Sequence, residues 1–190
     1  MSEVWSQLKN YRKVKTLPSG ARLLLRPLTT EDKDDLVDLF ARGSEQDLEY
    51  FRSDARDSGV VQEWVEDLNY RRLFPLVAVV EDRIVGEAML NFGKHFHRHV
   101  AWVRVFLDPD YRRQGIGTLM IRSLVEIGRR VGLHQLYAEI ATTQPQVIKA
   151  FEDLGFHHEV TLRDYFMRDD TELLNMAIMV LPLVDHSGAF

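Results

Sequence analysis

Two arginines and two glycines stand close together in the stretch DPDYRRQGIGTLM, between an apolar run and an amphipathic one. Arg112 and Arg113 bring positive charge, and Gly115 and Gly117 leave the backbone open to close approach because they carry no side chain. A helix that begins at Gln114 or Gly115 leaves its first amide N–H groups without partners, and these groups favour an anion. The stretch therefore predicts a phosphate or diphosphate site, with a glycine-softened turn and solvated arginines as the alternative interpretation.

Two common phosphate-binding motifs do not fit this stretch. A P-loop has a lysine after its second glycine, whereas Thr118 follows Gly117. A dinucleotide fingerprint has a third glycine where this chain has Met120, and it normally belongs to the first strand–helix unit. A nucleotide- or phosphate-binding module of another class stays open as an alternative at this point.

The composition is that of an ordinary globular protein, with 190 residues, 45% hydrophobic and 28% charged. The absence of cysteine excludes disulfides, thiolate metal sites and a cysteine nucleophile, and it fits the cytoplasm. A net charge of −5 disfavours nucleic acid as a partner. No apolar run approaches the roughly 18 residues of a membrane span, and the first residues lack the apolar core of a signal peptide. We therefore expect a cytoplasmic protein that binds neither nucleic acid nor a membrane.

Hydrophobic periodicity predicts a strand, two helices, three strands, a helix, a strand, a helix and closing strands, in that order. The predicted strands cover 20–29, 99–108, 134–142 and 173–183, and a predicted hairpin covers 75–92 with its turn at 81–83. The predicted helices cover 29–43, 58–72, 115–130 and 143–156. In the last helix, Thr143 and Gln146 have capping-box spacing and Gly155 suits a left-handed stop. This mixed order predicts one three-layer α/β domain over 19–184, between an N-terminal arm (1–18) and a C-terminal tail (185–190).

The ordered motifs resemble the GNAT family of N-acetyltransferases over roughly residues 17–183. Arg112-x-x-Gly115-x-Gly117, after a strand that ends in VFLDPDY, is similar to the acyl-CoA signature of that family. The segment EIATTQPQVIKAFEDLGF resembles the strand, polar turn, helix and closing Gly-Phe that follow the signature in the family. Within the family, the chain resembles bacterial members akin to the acetyltransferase domain of protein lysine acetyltransferases. The resemblance implies a single-domain fold with a mixed, mostly antiparallel central sheet flanked by helices.

This resemblance also implies acetyl-CoA as a cosubstrate and direct transfer, in a ternary complex, to a primary amine: a protein lysine, a protein N-terminus or a small amine. By the family pattern, the diphosphate lies on the loop and the pantetheine pairs with the end of the preceding strand, where a backbone N–H polarises the thioester carbonyl. Gln144 takes the place of a familiar asparagine before the last helix. The implied cofactor-binding residues are Val105, Phe106, Leu107, Arg112, Arg113, Gln114, Gly115, Ile116, Gly117, Thr118, Gln144 and Phe151.

Glu139 is the implied catalytic base, because some family members that acetylate ribosomal protein N-termini use a glutamate in this place. A lysine amine has an ordinary pKa of about 10.4, so a base is useful at neutral pH. The alternative is a sheet-surface carboxylate with a structural partner. Phe151 stands where many members carry a tyrosine that is thought to protonate the departing thiolate, and phenylalanine cannot donate a proton. A catalytically weak or inactive acyl-CoA-binding sensor or regulatory protein is therefore the alternative function.

Three histidines, His95, His97 and His99, alternate in KHFHRHV, and on a strand all three would face one way. Zinc binds such imidazoles, but no carboxylate or cysteine lies at ligand spacing nearby. We therefore expect no metal, and a substrate-facing polar edge or an exposed surface stays open for these histidines. Because family members often dimerise, the resemblance also suggests a homodimer.

Overall fold

A computed structural model describes residues 2–49, 51, 55, 57–168 and 171–184. The predicted tail, 185–190, lies outside the described residues. Two compact units make up the chain: the first consists of Met1–Met89 with Val105–Ile121, and the second of Leu90–Arg104 with Arg122–Phe190.

Helices and strands alternate along the described chain. The helices are α1 (Ser2–Lys9), α2 (Lys33–Ala41), α3 (Glu45–Leu48), α4 (Ser58–Glu66), α5 (Ile116–Arg130) and α6 (Pro145–Glu152). The strands are β1 (Lys13–Thr16), β2 (Arg22–Pro27), β3 (Leu73–Val80), β4 (Arg83–Phe92), β5 (Val100–Leu107), β6 (Gln135–Ala141), β7 (His157–Arg168) and β8 (Glu172–Pro182). Three-residue 3₁₀ turns cover Thr30–Asp32, His95–His97 and Pro109–Tyr111.

The strands follow the order β1-β2-β3-β4-β5-β6-β8-β7 in one sheet. β5 and β6 are parallel, whereas β1 with β2, β2 with β3, β6 with β8 and β7 with β8 are antiparallel. The predicted α/β class with a mixed, mostly antiparallel sheet is thus confirmed. The predicted hairpin turn is also confirmed: Glu81 and Asp82 join β3 to β4 with φ values of 50° and 62°, as expected for a two-residue hairpin loop.

In the first unit, α2 and α4 bury one apolar stripe each. Leu36, Leu39 and Phe40 of α2 are buried, as the periodicity predicts. The Phe40 ring centroid lies 5.2 Å from that of Phe106 and 6.2 Å from that of Trp64, in tilted and edge-to-face arrangements. Each such ring removed from water stabilises the fold by about 1.5–3 kcal/mol, so this aromatic cluster anchors the end of β5.

The turn that leads into α2 is held by a buried ion pair. Asp32 is 4% exposed and accepts from both terminal nitrogens of Arg26 at 2.6 Å. It also accepts from the Thr29 amide at 2.7 Å, which satisfies a backbone donor at the start of the turn. Burial disfavours the charged carboxylate, but the hydrogen bonds from Arg26 and Thr29 outweigh it and hold the pKa of Asp32 below its usual value.

We predict that Asp32→Asn lowers the free energy of unfolding by about 2–3 kcal/mol at pH 7, because Arg26 then lacks its anionic partner. A depressed folded pKa gives stability that is present above the unfolded pKa of 3.8 and is lost as pH falls through the lower folded value. The difference between Asp32→Asn and wild type should therefore shrink below about pH 3.8 in urea titrations. Asp34→Asn, at an exposed position in the first turn of α2, serves as the control; an equal loss there would contradict the prediction.

In the second unit, β6 lies between β5 and β8. All seven residues of β6 pair with β8, from Gln135↔Pro182 to Ala141↔Met176. The parallel register with β5 is shorter and ends at Trp102↔Tyr137. Residues 138–141 of β6 therefore pair with β8 but lie beyond the last pair in the β5–β6 register.

Helix α6 begins later than its sequence pattern indicates. The N-cap is Gln144 rather than Thr143, and Pro145 is the first helical residue, because its ring fixes φ in the helical range. The expected capping box of Thr143 with Gln146 is thus wrong. The left-handed stop is confirmed, since Gly155 has φ +93°.

None of the helices in the described part of the chain is both long and apolar enough to cross a membrane.

Candidate active site

Asp108 fixes the backbone where β5 ends. Its carboxylate is 1% exposed and accepts from Arg42 Nε at 2.6 Å and from the Asp110 amide at 3.0 Å. The Arg83 guanidinium lies 3.4 Å from the same carboxylate, and the Asp108 amide donates to the Val85 carbonyl of β4. A buried carboxylate with two cationic partners therefore sets the direction in which the chain enters the next loop.

Residues 112–118 form that loop and the first helical residues, and we call them the glycine loop. Arg112 donates from Nε and Nη2 to the Leu107 carbonyl at 3.3 and 3.2 Å, and its Nη2 lies 2.7 Å from the Asp47 carboxylate. Burial opposes the charge on Asp47, yet hydrogen bonds from Ser44 and Arg112 hold the pKa of Asp47 below its usual value. The Arg112 side chain thus holds the shape of the loop through the Leu107 carbonyl. Its positive charge is paired with the Asp47 carboxylate.

The amides of residues 113–118 donate to no acceptor among the described residues. Two left-handed residues, Arg113 with φ 61° and Gly115 with φ 77°, turn this part of the backbone before α5 begins at Ile116. Successive N–H groups in such turns form a concave anion site, and the helix dipole adds to its positive potential. This geometry fits a diphosphate, as the sequence predicts.

The end of β5 offers mainly its backbone to a ligand. The Phe106 side chain is 4% exposed and packs on Phe40, whereas Val105 and Leu107 are half-buried. A Cβ atom at Gly86 would lie 2.5 Å from Leu107 Cδ2, and one at Gly117 would lie 3.2 Å from Leu107 Cδ1. Glycine at both positions therefore lets Leu107 pack closely on β4 and α5.

The predicted residues of the second unit lie on β6 and α6. Glu139 is half-buried and pairs with Ile178 of β8. Gln144 is half-buried at the N-cap of α6, and its side chain makes no cap hydrogen bond, so the amide stays available. Phe151 is 3% exposed, and its ring centroid lies 5.0 Å from that of Phe156. Phe151 is therefore a core residue of this unit.

The structure distributes the predicted residues over both units. The first unit holds Val105–Leu107 and the glycine loop, and the second holds Glu139, Gln144 and Phe151. Sequence reasoning missed Asp108, Arg42 and Asp47, which support the loop. An aspartate directly before Pro109 is a turn signal that could have identified Asp108, but nothing local to Arg42 or Asp47 indicates their partners.

The histidine-rich segment is a turn and not a strand, so the condition under which its three side chains would face one way is not met. His95 and His97 belong to a 3₁₀ turn, and the His99 ring lies edge-on to His134 with centroids 5.6 Å apart. Within the described ranges, no group of three or more His, Cys, Asp or Glu residues is placed to hold a metal ion.

Comparisons with known proteins agree with this fold. The profile of the Acetyltransferase (GNAT) family matches residues 34–156, more than half of the 190 residues. The chain therefore belongs to the GNAT family of N-acetyltransferases, and the alternative of a phosphate-binding module from another class is dropped.

A sequence relative is the [ribosomal protein bS18]-alanine N-acetyltransferase of Escherichia coli K12, which is 30% identical over 79 residues. That match covers 42% of this chain and 53% of the relative, so the chain spans about half the length of that enzyme.

Solved structures share the fold. An N-acetyltransferase from Staphylococcus aureus Mu50 superposes with a TM-score of 0.75 at 17% identity, over 85% of this chain and 99% of its own. A GNAT superfamily phosphinothricin acetyltransferase from Sinorhizobium meliloti, solved in complex with AcCoA, has a TM-score of 0.74 at 18% identity, over 88% of this chain and 89% of its own. At these identities the likeness shows the fold alone, so the resemblance to protein lysine acetyltransferases stays a prediction.

Proposed function

We propose that this protein is an acetyl-CoA-dependent N-acetyltransferase that moves an acetyl group directly to a primary amine. The observation that carries the proposal is the run of amides at residues 113–118, which donate to no acceptor among the described residues and curve around two left-handed positions. Membership of the GNAT family supports acetyl-CoA as the ligand whose diphosphate this anion site would bind. The acceptor is a protein N-terminus, a protein lysine or a small amine, in keeping with a relative named for a ribosomal protein and a structural neighbour named for phosphinothricin.

The chain's own residues would perform three tasks in this reaction. The glycine loop binds the diphosphate, and the backbone of Val105–Leu107 aligns the pantetheine. Bound acetyl-CoA supplies an activated acetyl group. Glu139 accepts the proton that the amine must lose, directly or through a water molecule, because a neutral amine is the nucleophile. Gln144 would hydrogen-bond the pantetheine amides with its available side chain.

Titration calorimetry with coenzyme A, and release of free thiol from acetyl-CoA in the presence of amines, test the proposal. Thermal shift gives the comparison with other nucleotides: coenzyme A at one hundred times its Kd should stabilise the fold by about 2.7 kcal/mol. Stabilisation by ATP or NAD but not by coenzyme A would refute the proposal.

We predict that Gly115→Val weakens coenzyme A binding at least about tenfold, because a β-branched residue is strained at φ +77° and its side chain covers the amides. Gly132→Val is the control, since Gly132 also has positive φ, +82°, and lies at the other end of α5. Both variants should lose similar stability, but only Gly115→Val should lose binding. Equal affinities in calorimetry would contradict a phosphate on this loop.

The alternative function is an acyl-CoA-binding sensor with little or no turnover. It is favoured by Phe151, which is buried against Phe156 and has no proton to give to a thiolate. Since a thiol has an ordinary pKa of about 8.5, the thiolate can leave without an acid, so turnover is compatible with Phe151. Binding of coenzyme A without thiol release across a broad amine panel would favour the sensor. The cytoplasmic location and the homodimer stay predictions, and light scattering of the purified protein tests the latter.

A further inference from the structure

A lysine from the N-terminal strand lies beside the glycine loop. Lys15 is on β1, and its Nζ lies 3.9 Å from the position that a Cβ atom would occupy at Gly115. Among the described residues beyond its two chain neighbours, no other heavy atom comes within 4 Å of that position, so the space over Gly115 has an ammonium group at its border. Lys15 and Gly115 both belong to the first unit.

The fold fixes the place from which Lys15 reaches the loop. β1 pairs with β2 over four residues, with Lys15 opposite Leu23, and Leu23 is opposite Val80 of β3. Residues opposite each other in a sheet share a face, and Leu23 and Val80 are buried on that face. Lys15 therefore extends from the edge of the sheet on a defined face and not from a free arm.

The charge of Lys15 is unpaired in the part of the chain that the structure describes. Among the described residues, no acidic side chain lies within ion-pair distance of Lys15 Nζ, whereas Arg112 in the loop is matched by Asp47. Within the described residues, the glycine loop thus offers amides without acceptors, and beside it lies an ammonium group without an anion. β1 precedes the family-matched segment 34–156, so this cation is supplied by a part of the chain outside the family pattern.

We propose that Lys15 binds the diphosphate of coenzyme A together with the amides of the glycine loop. Strand β1 would thus supply one residue of the coenzyme A site. This inference rests on the proposed function. An ammonium–phosphate contact at an exposed position contributes modestly, and its contribution falls as salt screens it.

Titration calorimetry with coenzyme A tests the inference without reference to turnover. We expect Lys15→Met to raise the Kd about five- to tenfold at low salt, and Lys15→Arg to stay within about threefold of wild type. Lys94→Met removes one exposed positive charge at a turn of the second unit and should leave the Kd unchanged. The melting temperature without ligand should be the same for all four proteins, since Lys15 is exposed.

A second titration, with dephospho-coenzyme A, shows whether Lys15 contacts the diphosphate or the 3′-phosphate. It keeps the diphosphate and lacks the 3′-phosphate, so Lys15→Met should lose the same factor for both ligands. A loss confined to coenzyme A would place Lys15 on the 3′-phosphate and overturn the assignment. If wild type binds coenzyme A and Lys15→Met binds it equally well, the inference fails and the proposed function stands. If wild type binds neither ligand, the proposed function fails and takes this inference with it.

Discussion

Glu139→Gln is expected to lower kcat for acetyl transfer by about 10²–10³-fold at neutral pH, the range of a lost general base. The substitution keeps the size and polarity of the side chain on β6, so the pairing with Ile178 and the fold should be unchanged. The deficit should shrink as pH rises toward about 10, because a lysine-like acceptor with a pKa of about 10.4 then loses its proton without help. Steady-state rates between pH 7 and 10, with one amine and saturating acetyl-CoA, measure both effects.

Glu126→Gln is the matched control and should keep the wild-type rate, because Glu126 is a half-buried glutamate of α5 that pairs with Arg130. Wild type, Glu139→Gln and Glu126→Gln should bind coenzyme A with the same Kd, since Glu139 is not assigned to coenzyme A binding. An unchanged kcat in Glu139→Gln would make Glu139 a structural carboxylate, the alternative interpretation of this residue. A deficit that does not vary with pH would also count against a base.

Asp108→Ala is expected to have the largest effect on stability, a loss of about 3 kcal/mol in the free energy of unfolding. The substitution leaves Arg42 and Arg83 without their shared anion and the Asp110 amide without its acceptor. Since Asp108 also sets the path into the glycine loop, coenzyme A affinity should fall with it. Urea unfolding and calorimetry measure the two effects.

Two variants separate the causes. Asp67→Ala breaks an exposed pair with Arg72 and should cost less than about 1 kcal/mol. Adding Arg42→Met to Asp108→Ala should restore part of the lost stability, because the uncompensated charge is then removed. If Asp108→Ala costs no more than Asp67→Ala, the buried pair does not hold this junction.

The sequence predicted those parts of the fold that bury one clear face. Helix α5, with its stripe of Ile116, Met120 and Leu124, begins within two residues of the predicted start. The predicted helix over 58–72 ends early, at Glu66, although Leu68 keeps helical spacing after Val65. A turn follows instead, in which Asn69 Oδ1 accepts from the Arg71 amide. α1, β1 and α3 were not predicted, and they are the short elements with too few apolar positions to show a period.

Edge position explains the other miss. β7 lies at the edge of the sheet and is exposed along most of its 12 residues, so its sequence lacks the alternation that identifies a half-buried strand. Tertiary pairing with β8, and not local pattern, makes it a strand.

From local sequence features, the part of the candidate site that could be located is the part formed by the backbone. Glycines, a strand end and a helix start are local features, so the glycine loop could be located from DPDYRRQGIGTLM alone. Arg42, Asp47 and Lys15 come from distant parts of the chain, and only the folded topology brings them to this loop. No local pattern contains that information.

The position of β8 has a consequence for synthesis of the protein. β8 is the last strand described in the chain, yet it lies inside the sheet between β6 and β7. As the polypeptide leaves the ribosome, the β6 backbone groups that face β8 therefore stay unpaired until the chain through Pro182 has emerged. Such nonlocal pairing is slow and exposes nascent chains to aggregation, so we expect a chain that ends before Glu172 to aggregate and not to complete this fold.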